Sequence, residues 1–331
     1  MKKEKKNNIE KSLTYILILV FFVIGIGIGI GIRSLFPSDE PQFNQIRDNS
    51  YEYINPLIDF ESVESTNNKD QLNIQHKLEE YIGKKNDSEI SHISVYYKDL
   101  NSGGWIGIQE DERFAPASLL KVPVMLAMYK MGEQDSEFLN QKIVFQSQET
   151  LQQNILPEYS LESGKEYTLD ELITQLIKYS DNTVLADILE FLPKTSESEI
   201  FKDLGITNPY QDTQTNVMTV KEYASFFRIL YNASYLNKDM STKALKLLSE
   251  TSYEKGIRSS VPKKIKIAHK FGEREILGEQ YHSQLHDCGI IYYPQKPYLL
   301  CIMTRGTNLD TLAKSITELS KIVYDIVDKE N

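Results

Sequence analysis

The chain has 331 residues, enough for one large domain or two small ones, and its 40% hydrophobic content allows a sizeable core. Its 37 basic and 47 acidic side chains give a formal net charge of −10. Lys2, Lys3, Lys5, Lys6 and Lys11 crowd the first twelve residues, so the head is basic and the body acidic, which argues against nucleic acid as a partner.

Residues 1–12 read as a basic cytoplasmic head. Leu13 to Ile32 is an uncharged run of 20 residues, enough as a helix for a hydrocarbon layer of ~30 Å. A signal peptide is the rival reading, but the run is long for one, no small-residue cleavage pattern follows it, and no cysteine is placed to carry a lipid. The expectation is a single transmembrane anchor over residues 13–32. Lysines before it and Arg33 alone just after it put the N-terminus in the cytoplasm and the body outside the cell membrane. Gly25, Gly27, Gly29 and Gly31 form overlapping small-xxx-small pairs. Weak self-association of the anchor helix is one reading, and a glycine-tolerant span is the simpler one.

Residues 33–69 are polar, carry Pro37, Pro41 and Pro56, and read as an extracytoplasmic linker. The domain is expected over residues 70–331. It opens with a short amphipathic helix, Leu72, Leu78, Tyr81 and Ile82 inward, ending at Gly83. Ser91–Tyr97 and Trp105–Ile108 read as two strands around the turn Asn101-Ser102-Gly103-Gly104. Helical patterns dominate from Thr168 to Leu248: one opening at Thr168, one over Asn182–Leu192, one capped by Thr219 and Glu222, and one over Ser241–Leu248. Strand character returns at Lys264–His269, Gln284–Tyr293 and Tyr298–Thr304, and a last helix runs from about Leu309 to Val327. The order predicts an α+β fold, an antiparallel sheet of about five strands with flanking terminal helices and an inserted helical lobe.

Cys288 and Cys301 fall on two adjacent predicted strands. A bridge between them suits an extracellular domain, although cysteines on paired strands are more often small buried side chains. The five histidines lack zinc-type spacing, so neither a metal nor a cofactor is expected.

Between the first strand pair and the helices lies Phe114-Ala115-Pro116-Ala117-Ser118-Leu119-Leu120-Lys121-Val122-Pro123, leading into an apolar helix over Val122–Met131. Pro123 suits a first turn. Ser118 would stand at or beside the helix N-terminus with Lys121 one turn on, a setting for a nucleophile and its base. Alone, the pair reads as a helix cap and a solvated lysine. Downstream come Tyr179-Ser180-Asp181-Asn182 at the mouth of a helix and His269-Lys270-Phe271-Gly272 on a late strand.

Ser-x-x-Lys, then Ser-Asp-Asn, then a Lys-[Ser/Thr]-Gly-like triplet resembles the class A β-lactamase and penicillin-binding-protein superfamily of serine hydrolases, over roughly Ile90 to Val327. The resemblance implies that Ser118 is acylated, that Lys121 exchanges its proton, and that Ser180 passes a proton to the leaving nitrogen. It implies that Asn182 binds substrate and holds Lys121, that Lys270 attracts a substrate carboxylate, and that the N–H groups of Ser118 and Glu273 form the oxyanion hole. Asp181 reads as a structural cap, and Gly272 as a point where substrate backbone comes close. The implied substrates are β-lactams or peptidoglycan-type acyl donors.

Two departures from the family pattern stand out. Phe271 occupies the place of a hydroxyl residue. The loop stretch Leu204 to Asn216 contains no glutamate to drive deacylation, and Asp212, its only carboxylate, reads as a turn residue. The sequence therefore predicts a membrane-anchored acylating hydrolase with slow deacylation. The rival is a non-catalytic module that binds cell-wall fragments or β-lactams.

Overall fold

The computed structural model describes residues 42–63, 69–85, 89–147, 153–193, 196–209, 217–275 and 282–329. The expected head and anchor lie outside the described residues, and no described helix is long and apolar enough to cross a membrane. The chain divides into two compact units, residues 43–61 with 67–331, and residues 1–42 with 62–66. Nearly everything described belongs to the first.

Strands β1 (Gln42–Arg47) and β2 (Leu57–Val63) form a ribbon, followed by helix α1 (Lys69–Lys85), β3 (Ile90–Asp99) and β4 (Trp105–Ile108). A short strand β5 (Arg113–Phe114) and a 3-10 turn (Ala117–Leu120) lead into α2 (Lys121–Gln134). The helical lobe contains β6 (Lys142–Val144), β7 (Glu166–Thr168), α3 (Leu169–Lys178), α4 (Leu185–Glu190), α5 (Ser196–Asp203), β8 (Met218–Thr219), α6 (Val220–Tyr231), α7 (Lys238–Leu248) and α8 (Ile257–Ser260). Strands β9 (Ile267–Glu275), β10 (Ser283–Ile291) and β11 (Tyr298–Gly306) precede the closing helix α9 (Leu309–Lys329).

The main sheet has five antiparallel strands, as the sequence predicts, and their order is β4-β3-β11-β10-β9. Successive side chains on a strand face opposite ways, so the sheet feeds two cores. Ile93, Val95, Leu300 and Ile302 pack with Ile74 and Leu78 of α1 and with Ile316 and Leu319 of α9. Tyr96, Leu299, Cys301 and Met303 face the lobe, packing with Met125 of α2, Leu172 of α3 and Phe227 of α6. Every residue of β10 is buried, as a strand covered on both faces requires. Cys288 and Cys301 are direct cross-strand partners and are joined as a disulfide.

Capping chemistry sets the lobe helices. Thr168 with Glu171, and Thr219 with Glu222, form complete capping boxes, each cap contributing ~1 kcal/mol. Helix α7 starts three residues before the expected Ser241 because Asn237 accepts from Met240 N. Helix α4 spans only six of the residues expected in Asn182–Leu192, since Asp181 to Val184 form the turn before it.

Three expectations need correction. In α1 the inward row is Ile74, Leu78 and Ile82, spaced four apart, while Leu72 is 66% exposed and the helix passes Gly83 to Lys85. The strand expected over Lys264–His269 lies at Ile267–Glu275. Its charged half, Glu273 to Glu275, has little strand propensity of its own, and register with Leu285, Gln284 and Ser283 of β10 overrides that. Finally, the expected linker is not all linker. Tyr53 and Ile54 are core residues, Asn55 N donates to Tyr231 O at 2.7 Å, and Arg47 Nη1 reaches Asn232 Oδ1 at 2.7 Å.

Candidate active site

The turn carrying Ser118 is built on an unusual backbone. Ala117 has φ of 51°, a left-handed conformation that costs ~1–2 kcal/mol for a residue with a Cβ. Ser118 then sits in the 3-10 turn, one element before the α-helix expected to start beside it, and is half-buried. The strain is held from several sides. Gln284 Oε1 accepts from Ala115 N at 3.0 Å. His286 Nδ1 accepts from Thr304 N at 3.3 Å, leaving Nε2–H to donate to Ala115 O at 2.9 Å. Burial pushes the His286 imidazole down to about 4, so it remains neutral in this role. Tyr223, on α6, donates to Leu119 O at 3.1 Å.

Gly272 of the edge strand β9 presses on the same turn. A Cβ there would meet Pro116 O at 2.7 Å and Leu119 N at 2.9 Å. The structure thus sets the protein's own Ser118 turn against this glycine.

Ser180 joins the two lysines. It too has a left-handed φ, of 53°, and is 1% exposed. Lys121 Nζ donates to Ser180 O at 2.6 Å and Oγ at 3.2 Å, and Lys270 Nζ donates to Ser180 Oγ at 2.8 Å and Phe271 O at 2.8 Å. Two incoming N–H groups occupy the lone pairs of Ser180 Oγ, so its own O–H is left to donate elsewhere. The described bonds of Lys121 run to Ser180, and Asn182, half-buried beside it, does not hold Lys121 as expected from the sequence.

Both lysines are enclosed, Lys121 at 4% exposure and Lys270 at 0%. Burial lowers Lys121 to about 7, against the opposing pull of Asp181 and Glu273. Burial and the neighbouring Lys121 push Lys270 well below the ordinary lysine range. A lysine neutral part of the time near pH 7 can accept a hydroxyl proton. Asp181 has the structural role read from sequence: its carboxylate accepts from Thr183 N and Gln175 Nε2, both at 2.8 Å.

Phe271 stacks on Tyr253, with ring centroids 4.0 Å apart and planes at 19°. Glu273 points across the cleft mouth. Its carboxylate accepts from Asn154 N at 2.8 Å, Asn154 Nδ2 at 2.9 Å and Ile155 N at 3.2 Å. Gln153 Nε2 completes the crossing by donating to Ser180 O at 3.0 Å. The structure thus gathers Ser118, Lys121, Ser180, Lys270, Gly272 and Glu273 around one cleft between sheet and lobe.

Sequence reasoning missed Gln153, Asn154, Tyr223, Gln284 and His286. The last two carried a signal, because polar side chains inside the apolar run of β10 require buried partners. The loop expected to lack a deacylating glutamate falls partly on residues 210–216, outside the described residues.

A model of the beta-lactamase enzyme family matches residues 73–327. A beta-lactamase from Citrobacter koseri is 37% identical over 98 residues, 29% of this chain and 33% of that protein. The chain thus spans about a third of that relative's length. Beta-lactamase VEB-1 from Pseudomonas aeruginosa is 21% identical over 273 residues, covering 76% of this chain and 90% of its own. Among solved structures, a class A beta-lactamase from Mycobacterium abscessus superposes with a TM-score of 0.65 at 19% identity, covering 77% of this chain and 99% of that one. PBP-A superposes with a TM-score of 0.63 at 20% identity, covering 78% and 96%. With sheet, lobe and the Ser118, Ser180 and Lys270 elements in one cleft, this chain belongs to the beta-lactamase enzyme family.

Proposed function

We propose that the protein is a serine hydrolase that forms an acyl-enzyme on Ser118 with β-lactam or peptidoglycan-type amides. The observation that carries this reading is the convergence of Lys121 and Lys270 on Ser180 Oγ beside the strained Ser118 turn. Ser118 Oγ attacks the carbonyl carbon and gives its proton to neutral Lys121. The N–H groups of Ser118 and Glu273 receive the developing oxyanion. Ser180 donates its proton to the leaving nitrogen as the C–N bond breaks, and is reprotonated from the lysines. A mutant of PBP-A with penicillin G is described as an acyl-enzyme complex, which supports the reading by analogy of fold.

Deacylation is slow in this proposal, because the sequence from Leu204 to Asn216 offers no glutamate, and general-base assistance is worth ~10²–10⁴ in rate. The protein is held in the cell membrane by residues 13–32 with its domain outside. The Cys288–Cys301 disulfide supports that compartment, since such bonds persist in oxidising surroundings.

The test is intact mass of the full chain with benzylpenicillin over time, beside Ser118→Ala. An adduct that forms on the wild type, is absent from the variant and decays slowly is expected. Rapid clearance would overturn slow deacylation. No adduct with any acyl donor would leave a binding module.

A further inference from the structure

We propose that Glu273 makes this cleft select acyl donors that present an ammonium or N–H donor, in place of a carboxylate, at the end of the β9 edge. The inference rests on the acylating role proposed for Ser118.

Three observations carry it. Lys270, the cation expected to attract a carboxylate, is 0% exposed and already donates to Ser180 Oγ and Phe271 O. Its nitrogen also lies 4.3 Å from the Phe271 ring centroid, so the ring covers it. A carboxylate arriving at the strand finds no hydroxyl at position 271 and no free ammonium behind it.

The space beside that position is filled. Phe271 and Tyr253 stack there, and Ile155 packs against the same cluster. The residue paired with Phe271 on β10 is Asp287, fully buried, whose oxygens accept from Ile257 N at 2.9 Å and lie 2.9 Å from His269 Nδ1. Asp287 is thus satisfied on the far face of the strand, and the carboxylate that meets an incoming anion at the mouth is that of Glu273.

The side chain at the mouth also shows what it accepts. The Glu273 carboxylate holds two backbone N–H groups and one amide NH2, all from Asn154 and Ile155. An incoming donor with an ammonium or an amide at this height offers the same chemistry, in the charge-assisted form that is the stronger one. Such a donor exchanges with Asn154 for the carboxylate, freeing the segment Gln153–Ile155 from the sheet side of the cleft. A carboxylate-bearing donor breaks the same contacts and gains nothing in return.

The test compares three β-lactams that differ only in the group on the ring carbon next to the nitrogen: carboxylate, primary carboxamide and aminomethyl. Second-order rate constants for adduct formation on Ser118 are read by intact mass, with the full chain and with Glu273→Gln, at low salt. In the wild type the aminomethyl compound is expected to react about tenfold faster than the carboxylate, with the carboxamide between them. In Glu273→Gln the ratio of aminomethyl to carboxylate should fall about tenfold, through faster reaction of the carboxylate and slower reaction of the aminomethyl compound. Fastest labelling of the wild type by the carboxylate, or a ratio unchanged by Glu273→Gln, would overturn the inference while leaving acylation intact. No adduct with all three would overturn the acylating role itself, and the inference with it.

Discussion

Lys121 and Lys270 donate to one atom, Ser180 Oγ, from 3.2 and 2.8 Å. Burial and the nearby Lys121 weaken the hold of Lys270 on its proton. Burial also brings Lys121 down to about 7.

Acylation of Ser118 should rise with pH through about 7 and level off above it, because the reactive form is the one that has lost the proton. Labelling rates from about pH 5 to about pH 9 check this. Lys121→Ala should remove the step and slow labelling by ~10²–10⁴. The same shift has a stability consequence of definite sign. Between about 7 and the unfolded value of 10.5 the unfolded chain holds this proton and the folded one does not, so folding is favoured as pH rises across that window.

Ser180→Ala should slow acylation by ~10²–10⁴, and it should also disturb the lysines. Lys270 keeps only Phe271 O, and Lys121 only Ser180 O. Leaving buried donors short of an acceptor costs ~1–3 kcal/mol, visible in a denaturant titration. A variant slowed in labelling yet unchanged in stability would contradict the bonding described.

Gly272→Ala tests the contact between β9 and the nucleophile turn. A methyl group there meets Pro116 O and Leu119 N at 2.7 and 2.9 Å, so the turn must shift. Expected are a loss of ~1–3 kcal/mol and a fall of about 10² in acylation, as displacement of the attacking oxygen by ~1 Å produces.

The sheet, the lobe and the elements that carry Ser118, Ser180 and Lys270 were legible because they rest on local signals. Thr168 with Glu171 and Thr219 with Glu222 announce helix starts, and the turn at Gly103-Gly104 announces a hairpin. Less legible was anything held by distant partners. Nothing near Glu273 in sequence indicates Asn154, 119 residues away, and nothing near Ala115 indicates His286. The strand over Glu273 to Glu275 is likewise a product of its neighbour β10 and not of its own composition.

The polar segment before α1 misled for a related reason. Its prolines and charges suit a spacer, yet Tyr53 and Ile54 are 8% and 1% exposed in the lobe-side core. A chain begun at Asp70 should therefore unfold at lower denaturant than one begun at Gln42. Ile54→Ala in the longer chain should account for much of the difference, at ~2–5 kcal/mol.

That docked segment also sets the length of a leash. If all of residues 33–69 were free, they could stretch ~130 Å from the membrane. With Arg47 to Asn55 pinned to the domain, the sequence from residue 33 to residue 42 can bridge at most ~35 Å. Under the proposed anchoring, that length caps how far the domain can stand from the membrane, and a substrate beyond the cap must come to it.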